Sequence, residues 1–224
     1  MSIPTRLCCL LLVLAITAKV QLQAQNISMV SKENLEMVYF GKRYSYLVPH
    51  VVQTHLNAMK FHQSLWGYKY DKTYVLLTDF EDTGHGGAIV TPYNLVILGI
   101  EPYSFAFSII PSNERFQWLF NHELTHVVMA DKANSKDQKY RRLFKGKVLR
   151  DQEQPISALW SYLTVPRWYS PRWYHEGIAT FMETWMSGGL GRAMGPYDEM
   201  YFRAIVNEKE PLYTLVGLET EGTT

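Results

Sequence analysis

Residues 116 to 128 restrict this chain more than any other stretch. Phe116, Phe120, Leu124, Val127 and Val128 recur at three- and four-residue intervals, the period of a helix with one buried face. On the opposite face stand His122 and His126, four residues apart. That spacing puts their imidazoles about 40° apart around the axis and on adjacent turns, so both can reach one point. Glu123 is turned about 100° from His122, beside that point rather than at it. Ser112 offers an N-cap, and the helix is expected to run to about Asp131.

The run His122-Glu123-Leu124-Thr125-His126 is an H-E-x-x-H, the arrangement that lets two histidines bind zinc while a carboxylate holds a water. A catalytic zinc takes three protein ligands and a water. The spacing H-E-x-x-H-x-x-G-x-x-H is excluded, because position 129 is Met and position 132 is Lys; position 146, where a glutamate would complete another spacing, is Gly. The next acids are Asp131, Asp137, Asp151, Glu153, Glu176 and Glu183. Glu176 stands out by its setting, Trp173-Tyr-His-Glu-Gly-Ile-Ala-Thr, on a helix that Ser170 would cap with Pro171 in first position. Gly177 inside that helix costs about 1 kcal/mol relative to Ala, which close approach to another backbone would explain.

HELTH followed by WYHEGIATFMET resembles the glutamate-zincin (gluzincin) metallopeptidases, whose second helix carries W-x-x-E-G-x-A. The nearer likeness is to the peptidase-MA-like group of exported bacterial proteins, some of which continue into a β-propeller. The similarity spans about residues 70–190. It implies one Zn2+ ion held by His122, His126 and Glu176, with Glu123 as the base, although 49 residues separate His126 from Glu176, more than in the better-known relatives. It also implies a downstream Tyr or His that steadies the oxyanion, for which Tyr197, Tyr201 or a residue past Thr224 are alternatives. A strand in the place of Asn94 to Gly99 would form an edge along the cleft, where an extended peptide can add as one more strand.

The remaining sequence fits an α+β, zincin-like domain in which a small β-sheet with an edge strand packs on the HExxH helix and a second ligand-bearing helix. Leu35–Phe40, Lys72–Thr78 and Asn94–Gly99 read as strands, and Tyr44–Trp66 as a helix with Pro49 near its first turn. Residues 132–155 read as a charged surface excursion, residues 171 to about 188 as the second ligand helix, and Tyr197–Val206 as one more short helix. Strands first and helices afterwards indicate α+β.

Ahead of the domain, Arg6 and the 12-residue apolar run Leu7–Ala18 read as a signal sequence, too short for the roughly 20 residues a bilayer requires. Cleavage after Ala24, or alternatively Ala18, would leave a domain over 25–224 that is exported to the periplasm or secreted. It would also remove Cys8 and Cys9, and with them any disulfide or thiol chemistry. Removing 1–24 leaves 20 bases against 21 acids, a balance with no footprint for nucleic acid. The ending at Glu221-Gly-Thr-Thr has no closing element, so the chain is expected to be the front of a longer protein.

The other polar residues leave alternatives. Glu183, seven residues after Glu176, is either a hydrogen-bond partner for a ligand histidine or a surface carboxylate. His175 reads as a surface residue rather than a substrate contact, and His85 as a solvated loop residue rather than part of the cleft mouth. His50, His55 and His62 fit a partly exposed helix face. Trp160, Trp168, Trp173 and Trp185 read as packing residues. The function these features imply is hydrolysis of peptides or proteins, by endo- or aminopeptidase action. The alternative is a binding or assembly module of a larger envelope protein with a structural or vestigial metal site.

Overall fold

Leu35, Met37 and Tyr39 point inward along β2 (Leu35–Phe40), as do Thr73, Val75 and Leu77 along β3 (Thr73–Thr78), and Asn94, Val96 and Leu98 along β5 (Asn94–Gly99). A two-residue period of this kind is what a sheet with one buried face requires. In the computed structural model, which describes residues 27–67, 71–80, 84–101, 114–193 and 195–211, these strands run parallel to one another. β1 (Ile27–Lys32) pairs antiparallel with β2, and β4 (Gly86–Ile89) pairs antiparallel with β5. The result is a mixed five-stranded sheet in the order β1-β2-β3-β5-β4. β5 is therefore internal, and the expectation that Asn94–Gly99 forms the edge is corrected: the edge is β4. Its sequence, Gly86-Gly-Ala-Ile, reads as a turn because two glycines carry no β-propensity of their own; pairing with β5 makes it a strand.

Helix α1 (Val48–Trp66) has Pro49 in its first turn and buries Val51, Val52, Leu56 and Met59. Helix α2 (Arg115–Asp131) buries Phe116, Phe120, Leu124, Val127 and Val128, the stripe its spacing predicts. The two helices pack on each other, and together with the inner face of the sheet they form one core. Each fully buried Leu or Val in it contributes about 1.5–3 kcal/mol. The cap of α2 is Glu114, whose carboxylate accepts from the Phe116 and Gln117 N–H groups (3.0 and 2.7 Å). Ser112 and the expected signal sequence, 1–24, lie outside the described residues.

Two expectations about α1 fail. His55 and His62 are wholly buried, not on a partly exposed face; only His50 is exposed, 3.3 Å from Glu114 Oε2. His55 sits edge-on to Phe120 of α2, and Trp66 Nε1 donates to His62 Nδ1 (3.3 Å).

Residues 132–155 are not merely a surface excursion. Asn134 and Asp137 form a capping box at the start of α3 (Ser135–Leu143). Asp131, the last residue of α2, is buried and accepts from Lys147 Nζ (2.9 Å), Arg141 Nη1 (3.1 Å) and Asn94 Nδ2 (3.2 Å). Burial raises the Asp131 carboxyl, but Lys147 and Arg141 outweigh it and hold it below the ordinary carboxylate value. A charged tract thus folds inward around one acid, because the acid satisfies it.

Helix α4 (Ile156–Thr164), a 3-10 turn (Pro166–Tyr169), α5 (Arg172–Met186) and α6 (Pro196–Glu208) complete an α+β domain with six α-helices among the described residues. Pro171 itself occupies the N-cap position of α5, one residue later than its sequence suggests, and the helix stops before Gly188 and Gly189 as expected.

Candidate metal centre

Helices α2 and α5 pack side by side, and their facing sides carry the polar cluster. His122, Glu123 and His126 are buried on α2, and Glu176 on α5 is partly exposed. Nε2 of His122 lies 3.1 Å from Nε2 of His126 and 3.4 Å from Glu176 Oε2, which is 3.7 Å from His126 Nε2. Ligand atoms about 2.0–2.1 Å from a tetrahedral zinc-sized ion lie roughly 3.3 Å from each other, so the triangle has the size such an ion requires. His122, His126 and Glu176 form a group that could hold a metal ion.

The protonation pattern agrees with that size. His122 Nδ1 faces Glu183 Oε2 at 2.7 Å, and Glu183 is fully buried. With the Nδ1 proton given to Glu183, Nε2 faces a second imidazole nitrogen and a carboxylate oxygen, and the proton it shares with Glu176 stands where a cation would lie. Three acceptors at this separation repel unless a proton or a cation lies between them. Of the two alternatives for Glu183, the structure therefore shows the hydrogen-bond partner and not the surface carboxylate.

The supporting residue that sequence reading missed is Arg192. Its Nε and Nη2 donate to Glu183 Oε1 and Oε2 (2.7 Å each), a bidentate pair, and its guanidinium lies 5.1 Å over the Trp118 ring. Trp118 in turn stacks on His122. Arg192 returns to the site by way of Gly191, where a Cβ would fall 2.3 Å from Thr184 Oγ1. The only sequence signal is the glycine-rich stretch after α5, which marks a tight return but names no destination.

These neighbours shift the titrations. Burial pushes the Glu123 carboxyl up to about 7, with Glu176 and Glu183 adding to the rise and His122 and Arg192 opposing it. Burial alone would depress His122, but hydrogen bonds to Glu176 and Glu183 carry it up to about 9. His126 is pulled down by burial and by the His122 charge. Its hydrogen bond to His122 holds Glu176 well below the ordinary carboxylate range, against a smaller opposing effect of burial. A bound divalent cation would lower all four, since it replaces the proton as the positive charge.

The cluster lies in a cleft of about 720 Å³ walled by the residues from Gly84 to Ala88, by α2, and by Trp168, Ser170, Arg172 and Arg192. Gly86 is where β4 comes closest to α2: a Cβ there would stand 2.7 Å from Glu123 Oε1 and 2.9 Å from Leu119 Cδ2. Gly177 has no such role, for a Cβ on it meets no described atom within 4 Å. His85 lines the cleft, as does His175, which is buried rather than at the surface and has Nε2 2.9 Å from the Arg167 carbonyl oxygen. Tyr197 and Tyr201 are exposed on α6, and neither lines the cleft. Three of the four tryptophans expected to pack, Trp168, Trp173 and Trp185, are also exposed.

Neither a protein-family model nor a curated protein matches the chain.

Proposed function

We propose that this chain is an exported zinc metallopeptidase of the gluzincin type, hydrolysing peptide bonds with Glu123 as the base. One observation carries the reading: Nε2 of His122 and His126 and Oε2 of Glu176 meet within 3.7 Å of one another, in a cleft that Glu123 also lines. Zinc, when bound, supplies a Lewis acid that acidifies a water and polarises a carbonyl oxygen. Glu183 keeps the His122 proton on Nδ1 and so directs the Nε2 lone pair into the site. Glu123 takes a proton from the attacking water on its carboxylate and passes it to the departing amine.

The open side of β4 is the natural place for the substrate. Gly99 N–H donates to the His85 carbonyl (2.8 Å), which sets the phase of the ladder. Gly87 and Ile89 then pair with β5, while the N–H groups of Gly86 and Ala88 face away from it. An extended peptide added at that edge would be held mainly by its backbone.

The test is metal analysis and a peptide-library digest of the wild type and Glu123→Gln. Stoichiometric zinc in both, with turnover reduced by about 10²–10⁴-fold or more in the variant, is the expected result. Near wild-type turnover in the variant would exclude Glu123 as base. Metal without turnover in either form would instead indicate a binding module.

A further inference from the structure

Helix α4 is folded inside out. Its buried side chains are Ser157, Ser161 and Thr164, while Ile156, Leu159 and Tyr162 are 50%, 52% and 51% exposed. This orientation is specified, because the buried hydroxyls are engaged. Ser157 Oγ accepts from Asp151 N–H (2.7 Å) and donates to the Asp151 carbonyl (3.0 Å). Thr164 Oγ1 accepts from Val148 N–H (3.1 Å) and donates to the Trp160 carbonyl (3.0 Å). A helix that turns its i, i+3, i+6 apolar row to water gives up the gain that ordinarily holds a helix to its domain. The face continues beyond α4, since Tyr162 meets Tyr169 at 5.7 Å between ring centroids, and the neighbouring Trp168 is also exposed.

Charge is distributed to match. Residues 132–182 carry ten bases and four acids, against twelve and seventeen in the rest of the chain. Of those four acids, Asp137 is buried and paired with Arg167, and Glu176 belongs to the metal group, which leaves Asp151 and Glu153 at the surface; of the ten bases, Arg141 and Lys147 are taken up by Asp131. Lys136, Lys139 and Arg142 on α3, and Lys145 and Arg150 after it, are exposed, and α3 packs on α4.

We propose that the α4 face and the bases around it seat this protein on an anionic lipid bilayer surface. Aliphatic side chains enter the acyl boundary, Trp and Tyr rings lie at the headgroup level, and Lys and Arg meet the anionic headgroups. Nucleic acid offers no complement to Ile156 and Leu159, and the cores of protein interfaces are depleted in Lys. No helix among the described residues is long and apolar enough to cross a membrane, and the contact proposed is with the bilayer surface. Trp168 and Ser170, between α4 and α5, also line the cleft. The seated protein therefore opens its cleft beside the bilayer, whether or not the cleft is catalytic.

The experiment is co-sedimentation of the whole chain with vesicles of equimolar phosphatidylglycerol and phosphatidylcholine, and with phosphatidylcholine alone. Binding to the anionic vesicles that weakens with salt is expected. The double variant Leu159→Gln, Tyr162→Gln should lower it by about 10-fold or more. Lys139→Gln with Arg142→Gln should lower it by about fivefold for each base and remove much of the lipid preference. Ile27→Gln, on the exposed edge strand β1, should bind as wild type. The proposal falls if the wild type ignores anionic vesicles or if the α4 variant binds them unchanged. It falls equally if Leu159→Gln dissociates a wild-type dimer, which would make a second copy the occupant. A drop of many degrees in the melting temperature of that variant would mean that the chain covers the face itself, and would also overturn it.

Discussion

Helix α2 buries its apolar stripe against α1 and the sheet, and on its other side it also buries His122, Glu123 and His126. Helix α4 buries three hydroxyl side chains and leaves Ile156, Leu159 and Tyr162 at the surface. Both helices place polar groups inside, but the purposes differ. The polar groups of α4 are short and uncharged, and nearby backbone groups satisfy Ser157 and Thr164. Those of α2 are ionisable, and a second helix, a buried glutamate and an arginine are needed to hold them. A polar group satisfied by its own neighbours orients an element, whereas ionisable groups gathered from distant elements around one point can make a site.

The largest effect should come from removing those distant partners. On the proposed reading, Glu176→Ala removes one of three metal ligands and should weaken zinc binding far beyond the roughly 10–100-fold expected for Glu183→Ala, which would only orient His122. Competition with a chelator of known affinity measures both. If Glu183→Ala proved the more damaging, the assignment of ligand and orienting residue would have to be exchanged.

Next in size is the joint between the two regions. Asp131 closes α2 and neutralises Lys147 and Arg141, and Arg141 Nε also donates to the Thr164 carbonyl at the end of α4 (2.8 Å). Asp131→Asn leaves Lys147 buried without its counter-charge and should cost about 3–5 kcal/mol in urea unfolding. A second, earlier transition in that variant would show that α3 and α4 come away separately. A change below 1 kcal/mol would mean that the joint is not structural.

A smaller effect tests the apolar side of α2. Both ring nitrogens of His55 are buried with no hydrogen-bond partner among the described residues, and burial pulls its pKa down to about 3; burial likewise pulls His62 down to about 4. Folding therefore keeps both neutral, while the unfolded chain takes up protons below its ordinary histidine value of about 6.5. Stability is whole above that pH and falls as pH drops toward 4, by up to about 1.4 kcal/mol per pH unit for each histidine. His55→Leu should flatten this dependence between pH 6.5 and 4 in thermal unfolding. An unchanged slope would show that His55 is already compensated in the fold.

The smallest expected effect concerns the sheet edge opposite α2. Ala88→Pro removes an N–H that faces away from β5 and should raise KM several-fold with zinc still bound, whereas Gly87→Pro removes a ladder bond and should destabilise the fold. Equal KM values for Ala88→Pro and the wild type would exclude strand addition at β4.

What sequence alone determined about this protein is what depends on local period. The i, i+4 histidines, the apolar stripe behind them and the alternation in β2, β3 and β5 follow from 3.6- and two-residue repeats, and the end of α5 from the glycines after it; none of these needs a partner to be read. What depends on partners was decided only by the tertiary structure. Glu176 reaches His122 across a segment whose path no spacing encodes, and Arg192 arrives through a glycine turn with no visible target. His55 and His62 look like surface residues until the fold buries them, His55 against Phe120 of α2. Gly86–Ile89 becomes an edge strand only because β5 offers it a ladder. In α4, the apolar residues face outward because Asp151 and Val148 supply hydrogen bonds to Ser157 and Thr164. A local pattern tells which face of an element is apolar, but the bonds available to its polar face decide which way it turns.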